Sequence, residues 1–395
     1  MKKAFIILAI CGLFAIITSD PAGHPEPFAY CHSEGAPPLR GEPRPEGGER
    51  PKNLAQSDTS VSDWKDYPLS LVDNTIDRNP YAFVKVLTPL LIQNNPTPTV
   101  YTETIQTIQS SLPGKFAVYA KGKVEGVDLI LIDEDKNGKY NEMGTDVMVI
   151  GNSPYGIPLG RIINIKNKLY ECKVAPKGEK VSLKPYEGKY GVLDLTGNFK
   201  CPSKLNLAIV NPLVGVNKTT PYSDDIYIDV ANDKNILLPC GTYQLWLGYI
   251  AEGTSHVAIR QNEMGSIEIR EEFEKEGQRK PTAIKWGAPF RIDFQFTVKG
   301  NEVTVPCASL KVFGSANEEY FNFFPSLLPQ VEVIDSKGHL VAKGAFKGIA
   351  TMGGAILPIT DYSAEVKRGA TPPYKVILSL THKLLGELKG EKQQE

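Results

Sequence analysis

Between two apolar runs, Leu129-Ile130-Leu131-Ile132 and Val147-Met148-Val149-Ile150, lies the stretch of this chain whose residue types could do chemistry. Asp133, Asp135 and Asn137 occupy alternate positions, and Gly138 follows at once. Alternate oxygen-bearing side chains converging on a tight glycine turn are what a calcium ion needs, since it gathers roughly six to eight oxygen ligands. Lys139 adds a backbone carbonyl to the set, and Glu142 and Asp146 add carboxylates further along. The candidate ligands are therefore Asp133, Asp135, Asn137, Lys139, Glu142 and Asp146. The competing reading is a plain polar turn, because Asp and Asn close turns through their own side chains and Gly accepts a positive φ.

The spacing of Asp133, Asp135, Asn137 and Gly138 matches the first half of an EF-hand loop. The second half departs from it. Gly144 stands where an EF-hand places its bidentate glutamate, so Glu142 or Asp146 must fill that place. The apolar flanks read as strands and not as helices. The expectation is a calcium-type β-hairpin loop with the weaker affinity of extracellular modules. Two further acidic groups, Asp224 with Asp225 and Asp229, and Asn232 with Asp233 and Asn235, read as turn and surface residues.

The motifs of the common enzyme classes are missing. Gly151-Asn152-Ser153-Pro154-Tyr155-Gly156 has the wrong spacing for a nucleophile elbow. Ser255 and His256 are adjacent, which does not by itself give a triad geometry. His339 and His382 stand alone, and no HExxH or paired-His pattern offers catalytic zinc. Asp194-Leu195-Thr196-Gly197 differs from an aspartic-protease loop in the residue between Asp and Thr. No phosphate-cradling glycine loop precedes a helix. A glycosidase needs only two carboxylates that meet in a cleft, and that pattern is invisible in a sequence. Tyr186, Tyr190, Tyr222, Trp246, Tyr249 and Trp286 serve either as a sugar-stacking platform or as core aromatics of sandwiches.

The elements that would position these residues read as strands. Phe290 to Lys299 alternates apolar and polar without a break, the period-two signature of a strand with one face in a core. Gly300-Asn301 then turns the chain toward Val303 and Val305. Val331 to Ile334, the turn Asp335-Ser336-Lys337-Gly338 and the return His339 to Ala342 repeat the pattern. Tyr243 to Tyr249 and Ile226 to Val230 alternate as well. Helical patterning is scarce: residues 101–111 fit a short helix or a strand, and residues 271–276 a solvated hairpin tip or linker. Residues 381–389 read as a last strand fraying into solvent. Short strands separated by Gly, Asn, Asp and Pro predict an all-β chain of tandem sandwich-like modules.

Met1-Lys2-Lys3 before the apolar run Ala4 to Ile17 predicts a secretory signal peptide over residues 1–19. A lipidated Cys11 and an uncleaved membrane anchor are the alternatives, although the run is short for a span. Residues 20–64 form a linker rich in Pro, Gly, Glu and Arg that has little to bury and reads as disordered. The expected modules are then 65–185, 186–276 and 277–390. The chain has 44 basic and 45 acidic residues, a formal net charge of -1. That balance argues against a nucleic-acid partner. No later stretch is long and apolar enough to span a membrane as a helix. Of the six cysteines, none forms a CxxC pair. Once Cys11 leaves with the leader, Cys172, Cys201, Cys240 and Cys307 allow three disulfide pairings or remain buried thiols, and Cys31 is left over.

Four resemblances accompany these readings. The segment from His24-Pro25-Glu26-Pro27-Phe28 through Cys31 to Asn53-Leu54 resembles a translated interspersed DNA repeat of bacterial genomes. Leu238-Pro239-Cys240-Gly241-Thr242-Tyr243 resembles the start of a strand in carboxypeptidase-regulatory-like, or transthyretin-like, sandwiches, with Cys240 unusual at its place. Gly287-Ala288-Pro289-Phe290 and the alternating strand after it resemble a bacterial immunoglobulin-like sandwich. The first module is similar to repeats of secreted bacterial proteins in which an Asp/Asn/Gly loop, an aromatic and a further acid lie between two strands. The repeat resemblance implies an insertion without a selected function, so that His24, His32 and Cys31 are not ligands, and the transthyretin-like and immunoglobulin-like resemblances imply a binding or structural role and no active site. Composition, leader and loop together predict an exported, calcium-stabilised surface or envelope protein with a protein or glycan partner. A secreted hydrolase, or an accessory module of one, acting on polysaccharide or peptide is the alternative.

Overall fold

The computed structural model describes residues 63–73, 85–86, 106–107, 118–135, 137–213, 225–231, 233–274, 277–350, 356–358 and 360–394. The expected leader, residues 20–62 of the expected linker, Tyr222, Asp224 and Asn232 lie outside these residues, as do residues 101–111 except for the strand Gln106–Thr107. Among the described residues the chain is almost wholly β, with one short 3-10 turn at Cys307–Ser309. The all-β expectation holds.

The reason is visible in the alternation. In Glu302–Val305 the side chains of Val303 and Val305 are fully buried while Glu302 faces solvent. This strand pairs with Thr297–Lys299 across Gly300, whose φ of 61° suits a tight hairpin turn. Gln330–Ile334 pairs in the same way with Leu340–Ala345. The turn between them is held by the Asp335 carboxylate, which accepts the backbone N–H groups of Lys337 and His339, both at 2.9 Å.

Two elements differ from the sequence expectation. The alternating run 290–299 is not one strand. Phe290–Asp293 belongs to a large sheet, whereas Thr297–Lys299 joins Glu302–Val305 and Tyr362–Glu365 in a small one. Between them the Gln295 N–H leaves the ladder for the Ser309 hydroxyl at 3.0 Å. Alternation reports which face is buried and carries no information on the sheet joined. Residues 381–389 do not fray. Lys375–His382 and Gly386–Gln393 form a hairpin paired without a break from Lys375↔Gln393 to His382↔Gly386, with Val376, Leu378 and Leu388 fully buried.

That hairpin lies inside a 12-stranded sheet. The sheet runs from Leu207–Pro212 and Gly241–Glu252 through Ser255–Arg260 and Glu319–Phe324 to Phe290–Asp293 and the hairpin. Strands from the expected middle and last modules are thus hydrogen-bonded neighbours. One core, which includes Leu193, Tyr243, Trp286, Val331 and Leu388, extends through both. The four described cysteines carry free thiols.

The first part of the chain positions the acidic loop. Val118–Val124, Val127–Ile132, Val147–Ile150 and Tyr155–Pro158 form an antiparallel meander. Leu129, Leu131 and Met148 pack into one core with Ile163, Ile165 and Val181, while Ile130, Ile132, Val147 and Val149 pack on the opposite face. Both faces are covered, which is why these strands spell continuous apolar runs. The register pairs Ile132 with Val147. Asp133 and Asp146 are therefore the first residues beyond the last cross-strand pair, one on each strand.

Candidate metal centre

The meander brings the two ends of the loop together, and a chain of side-chain hydrogen bonds folds the rest. Asp133 Oδ1 and Oδ2 accept the N–H groups of Asn137 at 3.1 Å and Gly138 at 2.7 Å. Asp135 Oδ1 accepts the Asn137 N–H at 3.2 Å. The Asn137 amide oxygen accepts the Lys139 N–H at 2.9 Å. Gly138 has a φ of 84° and an open Cβ position, so here it is the backbone conformation and not crowding that favours glycine. The Tyr140 N–H donates to Pro176 O at 2.9 Å, and the Gly144 N–H to Leu159 O at 2.9 Å, which ties the loop to its surroundings at two points.

The result gathers three of the expected ligands. Carboxylate oxygens of Asp133, Asp135 and Asp146 all lie within 4.8 Å of one another. Asp135 is exposed, Asp133 half-buried and Asp146 wholly buried. Asp146 Oδ2 accepts the Glu142 N–H at 2.7 Å. Asp146 Oδ1 is buried and has no hydrogen-bond partner. Burial is the main cause that raises the Asp146 carboxyl to about 6, opposed by the backbone N–H groups of Glu142 and Glu134 and reinforced by the charges of Asp133 and Glu142. Like charges this close disfavour one another's ionisation.

The other three expected ligands are placed differently. The Asn137 amide nitrogen donates to Asp135 at 2.9 Å and to Glu142 at 2.5 Å, so that side chain braces two acids. The second Glu142 oxygen lies 3.7 Å from the Lys139 ammonium. Lys139 enters the site otherwise only as a donor, through its N–H. Sequence reasoning missed Tyr140 as part of this site. It is buried beside the acids, and its hydroxyl pKa is raised by burial first and then by Asp133 and Asp146. The available signal was an aromatic between the glycine turn and the closing acid.

The remaining candidates do not converge. Asp225 is held by Arg161 at 2.6 Å. Asp229 Oδ1 accepts the N–H groups of Ala208 at 3.1 Å and Ala231 at 3.0 Å. Ser255 and His256 are consecutive on a strand and so face opposite ways. The His256 ring is stacked between Tyr249 at 5.7 Å and Phe324 at 5.2 Å. Tyr249 and Trp286 are core residues, Tyr190 lies under Arg279, and Trp246 meets Tyr227 edge to face. The aromatics thus form no common platform among the described residues. Among the described residues no helix is long and apolar enough to cross a membrane. No protein-family profile, curated protein or solved structure matches the chain.

Proposed function

We propose that this chain is an exported, non-catalytic binding or structural protein of a bacterial surface or envelope, stabilised by calcium in the loop 133–146. The observation that carries the metal reading is Asp146 Oδ1, wholly buried and without a partner beside the carboxylates of Asp133 and Asp135. A buried polar atom without a partner costs stability, and a buried anion costs more. A hard divalent cation with a preference for oxygen ligands removes that cost and the repulsion among the three acids. Asp133, Asp135 and Asp146 would hold it from both ends of the hairpin. Its work is structural: it fixes where the meander turns. Export is supported by the lysines and apolar run at Met1–Ile17.

Thermal melts with calcium and with a chelator test the metal reading. Calcium at ~10 times its dissociation constant is expected to add about 1.4 kcal/mol of stability, and at ~100 times about 2.7 kcal/mol. The Asp133→Ala protein is expected to lose that increment. A midpoint that ignores both calcium and the chelator in the unaltered chain sinks the reading.

A further inference from the structure

Behind the strand that leaves the acidic loop there is a cavity of about 180 Å³, between that strand and the segment 227–236. Protein interiors leave few voids larger than a water molecule. A space of this size among polar side chains has room for several waters or a small ligand.

Its walls combine two kinds of surface. Met148, Ile163 and Ile236 give apolar lining, and Tyr155 and Tyr227 add aromatic rings. Polar groups line the rest, and the fold fixes three of them. The Asn164 amide donates to Leu237 O at 3.1 Å, Asp229 is clamped by the N–H groups of Ala208 and Ala231, and the Lys166 ammonium donates to Glu125 O at 3.1 Å. Asp233 stands exposed at the rim. Polar groups held in place by their neighbours bind without paying for their own ordering.

The charges decide the class of ligand. Lys166 brings a positive charge to the lining, and Asp229 and Asp233 bring negative ones. An anion meets the two carboxylates, and a cation meets the ammonium. A neutral ligand meets no such penalty, provided that it offers donors and acceptors together. Hydroxyl groups do both. A ring with apolar C–H faces and several hydroxyls matches the apolar lining, the tyrosines and the polar groups at once.

We infer that this cavity is a binding site for a neutral polyhydroxylated ring, the chemistry of a single sugar unit. The inference rests on the binding-protein reading above and not on its metal. It also gives the loop a neighbour: Gly144 comes so close to Tyr227 that a Cβ there would lie 3.2 Å from the tyrosine hydroxyl.

Saturation-transfer NMR and titration calorimetry on the purified chain test it, with glucose, methyl mannoside, methyl galactoside and N-acetylglucosamine as probes and lysine methyl ester as the cationic control. At least one sugar is expected to bind in calcium. Asp233→Ala, at an exposed position that the fold does not need, is expected to weaken it about tenfold, the worth of one hydrogen bond to a charged group. Tyr227→Leu is expected to weaken it as well. Failure of every sugar to bind the folded chain overturns the inference, as does equal binding by both variants or preference for the lysine ester. Sugar binding that persists in chelator, with a melt indifferent to calcium, upholds the cavity and removes the metal; a calcium-dependent melt without sugar binding does the reverse.

Discussion

Asp146 and Glu318 are both carboxylates taken wholly out of water, and the chain treats them in opposite ways. Glu318 lies just before the strand Glu319–Phe324 and accepts the Gly287 N–H at 2.7 Å, the Ala316 N–H at 2.9 Å and the Tyr320 hydroxyl at 3.1 Å. Gly314 passes so close to it that any side chain there would collide with the carboxylate. Burial still raises the Glu318 pKa, with those donors pulling against it. Asp146 has one oxygen bonded to the Glu142 N–H and the other bonded to nothing, and its nearest charged neighbours are acids. A fold can complete a buried carboxylate with its own donors, or it can leave the complement to be supplied from solution. The first arrangement is indifferent to the medium, and the second depends on it.

Three experiments break or sharpen that contrast. The largest effect is expected at Glu318. Glu318→Leu leaves two N–H groups and a hydroxyl without an acceptor, at about 1 kcal/mol or more each, so the loss should reach about 3 kcal/mol in a denaturant melt. It should be the same in calcium and in chelator; a calcium-dependent loss breaks the contrast. A smaller effect, about 1–2 kcal/mol, is expected at Asp146, and its sign should reverse with the metal. In chelator Asp146→Asn removes a buried charge and stabilises the fold, whereas in calcium it removes a ligand and destabilises it. A variant that ranks the same way in both media contradicts the assignment. The smallest effect is the pH slope. The Asp146 carboxyl rises from 3.8 to about 6 in the fold. Without metal the folded chain therefore holds the proton more tightly than the unfolded chain, and stability contributed by the protonated form is lost as pH climbs from about 3.8 through 6. The difference in melting midpoint between the unaltered chain and Asp146→Asn, followed in chelator from pH 4 to 7, should trace that loss. A flat difference would falsify the charge argument.

The sequence made the strands legible because burial of alternate residues leaves a mark at each step, as at Val303 and Val305. The loop was legible because Asp133, Asp135, Asn137 and Gly138 are close in sequence and their spacing is chemical. What stayed hidden is non-local. That Asp146 meets Asp133 depends on the register Ile132↔Val147, and that its oxygen is orphaned depends on packing. The change of sheet within 290–299 depends on a hydroxyl from Ser309. The clamp around Glu318 draws on Gly287, which is distant in sequence, and no local pattern announces it.

The position of Gly386–Gln393 governs how the fold is reached. This strand comes after every other strand of the large sheet, yet it is inserted between Phe290–Asp293 and Lys375–His382. A growing or translocating polypeptide cannot zip up the ladder around that gap while the inserting segment is still to arrive. Such long-range closure is slow. On the export proposed above, the seam between Phe290–Asp293 and Lys375–His382 would stay open until Gly386–Gln393 had crossed.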